Sequence, residues 1–266
     1  MKRPPHGLAG LALSAIAIAM LAHGPIPQLA HYHEFADTRS LLGLPNAGDV
    51  LSNAGFALVA AWGFAVLAPR SRDPRLARSW PGYALFLAAL ALTAAGSAWY
   101  HLAPDNARLV WDRLPIALAC AGLLAGVYAD THEPPRSRAL PLALAIAGAA
   151  SVLWWSITDA RGAGDLRPYL FLQAAPLVAI PLWQAGAGAR RAERLAFAAA
   201  IALYAAAKAF ELADRAVFDA LGFASGHTLK HLLATAASAA IVASLAARVR
   251  PRPGKAAPRG GVQASG

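Results

Sequence analysis

The chain has 266 residues, of which 58% are hydrophobic and only 14% are charged, and its formal net charge is +10. This composition excludes an ordinary water-soluble domain, because such domains carry about 25% charged residues. The charge alone would suit a nucleic-acid-binding protein. However, the cations lie in short connections between apolar blocks, so nucleic acid is not expected as a partner. The single cysteine, Cys120, excludes an internal disulfide.

Eight apolar segments follow one another along the chain, and each is long enough to cross a hydrocarbon layer of about 30 Å as a helix. Alanine and leucine dominate them, which favours helices over barrel strands. The segments cover roughly residues 8–26, 50–68, 82–101, 109–129, 139–157, 168–184, 193–213 and 228–247. The sequence therefore predicts an all-α membrane protein, with a seven-helix core over residues 28–249 and one additional N-terminal helix over residues 1–27.

The two ends of the chain differ from this core. The first segment is short and follows Lys2 and Arg3, so it is either a transmembrane helix or a signal peptide cleaved near residues 22–24. Residues 250–266 are rich in proline, glycine and basic side chains, which predicts a disordered cytoplasmic tail.

The connections between the segments predict the orientation. Every second connection is rich in basic residues, around positions 2–3, 70–78, 136–138, 190–194 and 248–259. The remaining connections hold only scattered cations. By the positive-inside rule both termini lie in the cytoplasm, and an even number of helices agrees with this.

Polar side chains occupy several helix ends where lipid is expected. The third segment ends with Ser97 and His101, the fourth opens with Asp112, and the eighth opens with His227 and His231. Each pair is spaced four residues apart, which places both members on one helix face. Under the predicted topology all five lie at a similar depth, in the outer third of the membrane. A polar group there costs free energy unless it has a partner.

The residue types in this set suit metal-dependent hydrolysis. Three imidazoles fit a tetrahedral zinc ion that keeps a fourth position open for water. Asp112 can accept a hydrogen bond from that water and act as general base. Ser97, one turn from His101, can donate a hydrogen bond to a developing oxyanion or to the water. The set predicts a hydrolase that acts at the depth of a lipid's polar linkage.

The seventh segment carries Lys208, Glu211 and Asp214 near its end. Two interpretations stay open: an ion pair that stabilises the helix, or residues that contact a substrate. Of the two remaining cations at this depth, Lys230 is expected to extend to the membrane surface. Arg113 is expected either to do the same or to pair with Asp214.

The ordered elements Ser97-x-x-x-His101, Asp112 and His227-x-x-x-His231 resemble the three-part signature of the CREST membrane hydrolase superfamily. This superfamily includes the alkaline ceramidases, the progestin and adipoQ receptors and GPI-anchor lipid-remodelling proteins. The likeness is greatest to the alkaline ceramidase family, particularly its bacterial members. The stretches "PNAGDVLSNAGF" and "WYHLAPDNARLVWDRLP" are also similar to theirs. The resemblance covers roughly residues 31–247.

The resemblance implies a seven-helix core in a bacterial inner membrane, with zinc held by His101, His227 and His231. It implies water activation by Asp112 and a supporting role for Ser97. The implied reaction is hydrolysis of the amide bond of ceramide, or of a related N-acyl lipid, to a sphingoid base and a fatty acid. Three alternatives stay open: hydrolysis of another lipid ester or amide, a lipid-sensing receptor with little turnover, and a transporter.

A calcium site is the weakest part of the resemblance. Eukaryotic alkaline ceramidases also bind calcium near the start of their core. The matching oxygen ligands in this chain are Glu34, Asp37, Asn46 and Asp49. Arg39 interrupts the acidic pattern, so this part of the family's motif is only partly present.

Overall fold

The structure is a computed structural model that describes residues 7–132 and 139–250. Over these residues it is helical, with no strand. The helices are α1 (Gly7–His23), α2 (Ala47–Ser52), α3 (Ala54–Leu67), α4 (Trp80–Leu102), α5 (Asn106–Thr131), α6 (Leu140–Ala160), α7 (Arg167–Gly186), α8 (Arg191–Leu212), α9 (Asp214–Leu221) and α10 (Gly226–Val249). Nearly all of the predicted tail lies outside the described residues.

The predicted fold class is confirmed, and every predicted apolar segment coincides with a helix. Six stretches of the described chain are long and apolar enough to cross a membrane: Ala47–Arg70, Trp80–Leu102, Asn106–Thr131, Leu140–Ala160, Arg191–Leu212 and Gly226–Val249. Helix α1 is apolar but shorter, and α7 has 20 residues with two prolines inside it. The chain is therefore an all-α, multi-pass membrane protein. Cleavage of the first segment stays a prediction.

The bundle is organised around two extensive helix pairs, α4 with α5 and α8 with α10. Helix α3 joins the pairs on one side by packing against both α4 and α10, and α7 joins them on the other by packing against α5 and α8. These six helices form a ring, and α6 and α1 lie outside it. Helix α6 contacts α5 and α7, and α1 contacts α7. Large apolar side chains such as Leu58, Leu142 and Leu153 are mostly exposed, as expected for a surface that faces lipid.

Helices α4 and α5 approach each other unusually closely. The Gly122-x-x-x-Gly126 spacing predicts such an approach, and the structure confirms it. A Cβ atom at Gly122 would lie 2.5 Å from the backbone nitrogen of Phe86, and one at Gly82 would overlap the backbone of Gly126. Since backbone atoms cannot rotate aside, these glycines fix how the two helices sit against each other.

The substitution Gly122→Ala is therefore expected to lower the thermal stability of the protein. An added methyl group that meets backbone forces the helices apart, and overpacking of this kind costs about 1–3 kcal/mol. The measurement is the unfolding midpoint of the detergent-solubilised protein. Gly10→Ala in α1 is the matched control, because a Cβ atom there has nothing within 4 Å. Equal midpoints in the two variants would contradict the close packing.

One of the predicted segments, residues 50–68, is broken by polar residues. Helix α2 ends at Ser52, where the Ser52 hydroxyl and the Asn53 amide both donate to the backbone oxygen of Asp49, at 3.1 and 2.7 Å. These side chains compete with the backbone for that carbonyl, and α3 starts afresh at Ala54. The seventh segment ends at Leu212 and is followed by the short helix α9, which the sequence analysis did not predict.

The connection between α6 and α7 is tied to the segment that follows α1. The buried carboxylate of Asp165 accepts hydrogen bonds from the indole of Trp154 at 3.0 Å and from the guanidinium of Arg167 at 2.8 Å. Arg167 holds the pKa of the Asp165 carboxyl below its usual range. The backbone nitrogen of Leu166 also donates to the oxygen of Ile26 at 2.8 Å. These contacts close the end of the bundle at which α4 ends and α5 begins.

Candidate metal centre

Three buried histidines converge at this closed end of the bundle. His101 lies in the last turn of α4, and His227 and His231 lie in the first two turns of α10. The ring centroids are 4.8 Å apart for His101 and His227, 5.0 Å for His101 and His231, and 4.8 Å for His227 and His231. Their ligand atoms all lie within 4.8 Å of one another. No other group of three or more His, Cys, Asp or Glu side chains in the described ranges converges in this way.

The geometry of the cluster fits a metal ion. The Nε2 atoms of His101 and His227 are 3.2 Å apart. Two nitrogen ligands bound tetrahedrally at zinc's usual ligand distance are about 3.3 Å apart. The buried Nδ1 of His101 has no hydrogen-bond partner among the described protein atoms. Nδ1 is not the nitrogen that faces His227, so the fit to a metal ion rests on the distance between the two Nε2 atoms.

Ser52 orients the third ligand. Its hydroxyl oxygen lies 2.8 Å from Nδ1 of His231. Because the hydroxyl proton is donated to the carbonyl oxygen of Asp49, at 3.1 Å, the oxygen accepts from His231. This assignment places the imidazole proton on Nδ1 and leaves Nε2 free to bind a metal. The role of Ser52 is not visible in the sequence, because its contact with His231 depends on the bend between α2 and α3.

Asp214 holds the start of α10. Its carboxylate accepts from the backbone nitrogen of His227 at 2.7 Å and from that of Ala36 at 2.8 Å. Ser225 caps the same helix by accepting from the nitrogen of Thr228 at 2.9 Å. Asp214 does not line the cavity described below. It therefore positions a histidine ligand, and its predicted contact with a substrate has no support in the geometry.

The two predicted catalytic side chains lie beside the histidines. Ser97 and Asp112 are buried, their side chains interact, and both line the same cavity as His231. Ser97 stands one turn before His101 on α4, and Asp112 lies in the second turn of α5. The close packing of α4 on α5 brings them together.

The cavity has a volume of about 330 Å³ and runs into the bundle from this polar end. Its walls come from α4, α5, α7, α8 and α10. The inner walls are apolar and include Leu90, Ile116, Leu123, Ile180, Phe197 and Ile241. Ten residues of α10 separate His231 from Ile241, so the cavity extends about 15 Å along that helix.

Lys208, Glu211 and Lys230 line the cavity near the histidines. Glu211 pairs with Lys208, as one of the two interpretations of the sequence predicts, and also with Lys230 at 3.3 Å. The ammonium nitrogen of Lys230 lies 2.8 Å from Nε2 of His227. The prediction that Lys230 extends to the membrane surface is therefore wrong, because its ammonium group forms an ion pair with Glu211 inside the bundle.

Arg113 follows neither of its two predicted alternatives. It is 2% exposed, its guanidinium lies over the ring of Trp155 at 4.0 Å, and it lines the cavity. The rings of Tyr32 and Tyr169 are 5.0 and 5.6 Å away. Asp214 bonds to backbone nitrogens instead, as described above.

Two of the residues implied as calcium ligands already have nitrogen partners on other side chains. Both carboxylate oxygens of Asp37 accept from Arg39, at 2.8 and 2.7 Å, and this guanidinium keeps the pKa of the Asp37 carboxyl below its usual range. The exposed carboxylate of Glu34 lies 2.7 Å from Nδ1 of His31.

The other two implied calcium ligands act within the protein. Asn46 donates its amide to the backbone oxygen of His101 at 2.7 Å, which ties α2 to the end of α4. Asp49 accepts from Thr228 at 2.6 Å and from Ser225 at 3.2 Å. The three carboxylates of this set do not converge as a group among the described residues, and calcium binding stays a prediction.

No family model, no curated protein and no solved structure matches this chain. The function therefore has to be argued from the motif and from the geometry of the site.

Proposed function

We propose that this protein is a zinc-dependent intramembrane lipid hydrolase of the alkaline ceramidase type. It cleaves the amide bond of ceramide, or of a related N-acyl lipid, to an amine and a fatty acid. The observation that carries the proposal is the convergence of three buried imidazoles beside Ser97 and Asp112, at the polar end of a long apolar cavity. A hydrolase needs all of these groups at one point, whereas a structural cluster does not.

The residues of the chain take complementary roles in this reaction. His101, His227 and His231 would hold a zinc ion, which would act as a Lewis acid and lower the pKa of a water molecule bound to it. Asp112 accepts the proton of the attacking water and returns it to the leaving nitrogen as the carbon–nitrogen bond breaks. Ser97 donates a hydrogen bond to the carbonyl oxygen as it gains negative charge. The products are a carboxylic acid and an amine, which together account for the water consumed.

The shape of the cavity supports a long-chain acyl substrate. An extended chain advances about 1.2 Å per bond, so a cavity about 15 Å deep takes roughly 12 bonds of an acyl chain. With the chain in the apolar part, the carbonyl carbon lies at the polar end beside Asp112. Filling the cavity also excludes bulk water from the histidines.

The site faces the outside of a bacterial inner membrane in this proposal, with both termini in the cytoplasm. The basis is the distribution of basic connections, of which the two that the structure describes in full, residues 70–78 and 190–194, join helix ends opposite to the histidines. The polar end of the cavity would then lie at the depth of a substrate's polar linkage in the outer leaflet.

The test is to incubate the detergent-solubilised protein with ceramide, other N-acyl lipids and ester lipids, and to identify the products by mass spectrometry. Release of fatty acid and sphingoid base from ceramide is expected, with loss on chelation and recovery on adding zinc. Release from esters alone would favour the alternative hydrolase. Lipid that binds without any product, in zinc-loaded protein, would reject hydrolysis and favour a receptor.

A further inference from the structure

Arg113 is a buried cation that the proposed reaction does not use. Its side chain lines the cavity and is almost fully buried, yet no described protein atom accepts a hydrogen bond from its Nε or Nη1. Burying a guanidinium without acceptors is costly, because its N–H groups lose their hydrogen bonds to water. Such a group in a cavity wall indicates that a ligand supplies the acceptors.

The aromatic residues around Arg113 satisfy only part of the guanidinium. Trp155, Tyr32 and Tyr169 present their rings to it at 4.0, 5.0 and 5.6 Å. A cation–π contact uses the flat face of the guanidinium. Its hydrogen bonds are made in the plane, at the edges, where the N–H groups form a fork that matches a carboxylate or a phosphate. The aromatic rings therefore hold the Arg113 guanidinium in place, while its Nε and Nη1 remain without an oxygen acceptor among the described residues.

The balance of charge in the cavity also favours an anion. Three cationic side chains line it, Arg113, Lys208 and Lys230, against two carboxylates, Asp112 and Glu211. Glu211 is already shared by the two lysines. Arg113 is the cation of this set that has no carboxylate within ion-pair distance among the described residues.

We propose that Arg113 forms an anion-binding subsite that holds the carboxylate or phosphate of an amphiphile whose chain lies in the cavity. The anion has two sources: the carboxylate of a free fatty acid, or a phosphate on the head of a lipid. The subsite goes beyond the proposed hydrolysis and does not depend on it, because binding needs no turnover.

The experiment measures equilibrium binding of palmitate, hexadecyl phosphate and hexadecanol to the purified protein, with Arg113→Met, Arg113→Lys and Arg161→Met as variants. In Arg113→Met the affinity for at least one of the two anions is expected to fall about tenfold or more, since charge-assisted hydrogen bonds are lost. The affinity of Arg113→Lys for the anions is expected to lie between those of the wild type and Arg113→Met, because lysine keeps the charge but lacks the forked N–H donors of arginine. Hexadecanol should bind equally to all forms. Arg161, exposed and outside the cavity wall, is the matched control.

The two anions identify the source of the ligand. Stronger dependence on Arg113 for palmitate indicates a fatty-acid carboxylate, and stronger dependence for hexadecyl phosphate indicates a phosphorylated head. Unchanged affinity for both anions in Arg113→Met would overturn the proposal. If that variant does not fold, the wild-type protein still tests the proposal. Its affinities for hexadecanol, palmitate and hexadecyl phosphate are measured after metal has been removed by chelation. Equal affinity for all three would reject the subsite. Binding that depends on Arg113 in a protein without hydrolase activity would leave the subsite intact and reject only the proposed reaction.

Discussion

Replacing His231 with alanine is expected to reduce bound zinc from about one ion per chain to nearly none, because two imidazoles cannot hold the ion as three do. His231 is the ligand best fixed by its surroundings, through the 2.8 Å contact between its Nδ1 and Ser52. The measurement is the metal content of purified protein by mass spectrometry. His23→Ala is the matched control, since His23 lies at the exposed end of α1.

The same experiment tests the role of Ser52. In Ser52→Ala all three imidazoles remain, but His231 loses the hydrogen bond that fixes its tautomer, so zinc affinity is expected to fall about 10- to 100-fold. A graded series, with wild type above Ser52→Ala and Ser52→Ala above His231→Ala, is what a metal centre predicts. Full zinc content in His231→Ala would show that the metal, if any, is bound elsewhere.

The sequence carries enough information to predict most of the helices and the meeting of the histidines. Apolar runs of membrane length define the helices, and alternating basic connections define their directions. Once the directions are known, His101 at the end of one helix and His227 at the start of another must lie at one depth. The i, i+4 spacing of His227 and His231 then gives a common face. These are properties of single helices and of their order, which a sequence displays directly.

The environment of the cations could not be predicted in the same way. A long basic side chain in an apolar segment is expected to reach toward water, because this position has the lowest free energy for the charge on an isolated helix. Lys230 stays inside because α8 provides Glu211. Arg113 stays inside because three separate parts of the chain provide the rings of Tyr32, Trp155 and Tyr169. Partners from distant helices are not visible in the local sequence.

The break between α2 and α3 could not be predicted for a related reason. Ser52 and Asn53 lie within one predicted apolar segment, yet both side chains donate to the backbone oxygen of Asp49 and interrupt the helix there. The interruption is what allows Ser52 to contact His231. Asp214 was likewise read as an intramembrane charge, whereas the chain turns before it and uses its carboxylate to hold the start of α10. Polar residues whose burial in lipid is expected to cost free energy thus position the histidines of the candidate metal centre.

The substitution Asp112→Asn separates catalysis from metal binding. Asparagine keeps the size of the side chain and can still form hydrogen bonds, but it cannot accept a proton at neutral pH. Turnover of the preferred lipid is therefore expected to fall by a factor of about 10² to 10⁴, the usual contribution of a general base. Zinc content should stay unchanged, because the converging ligand group contains only the three histidines. The two readouts are the rate of fatty-acid release and the metal content of the same preparation.

Asp219→Asn is the matched control for this variant, because Asp219 is an exposed carboxylate on α9 outside the cavity wall. Its turnover and zinc content should equal those of the wild-type protein. Full turnover in Asp112→Asn would assign the base to another group. Loss of zinc together with turnover would make Asp112 a metal ligand and not a base. Loss of turnover with zinc retained is the outcome that a general base beside three histidines requires, since Asp112 is buried in the wall of the cavity next to the converging imidazoles.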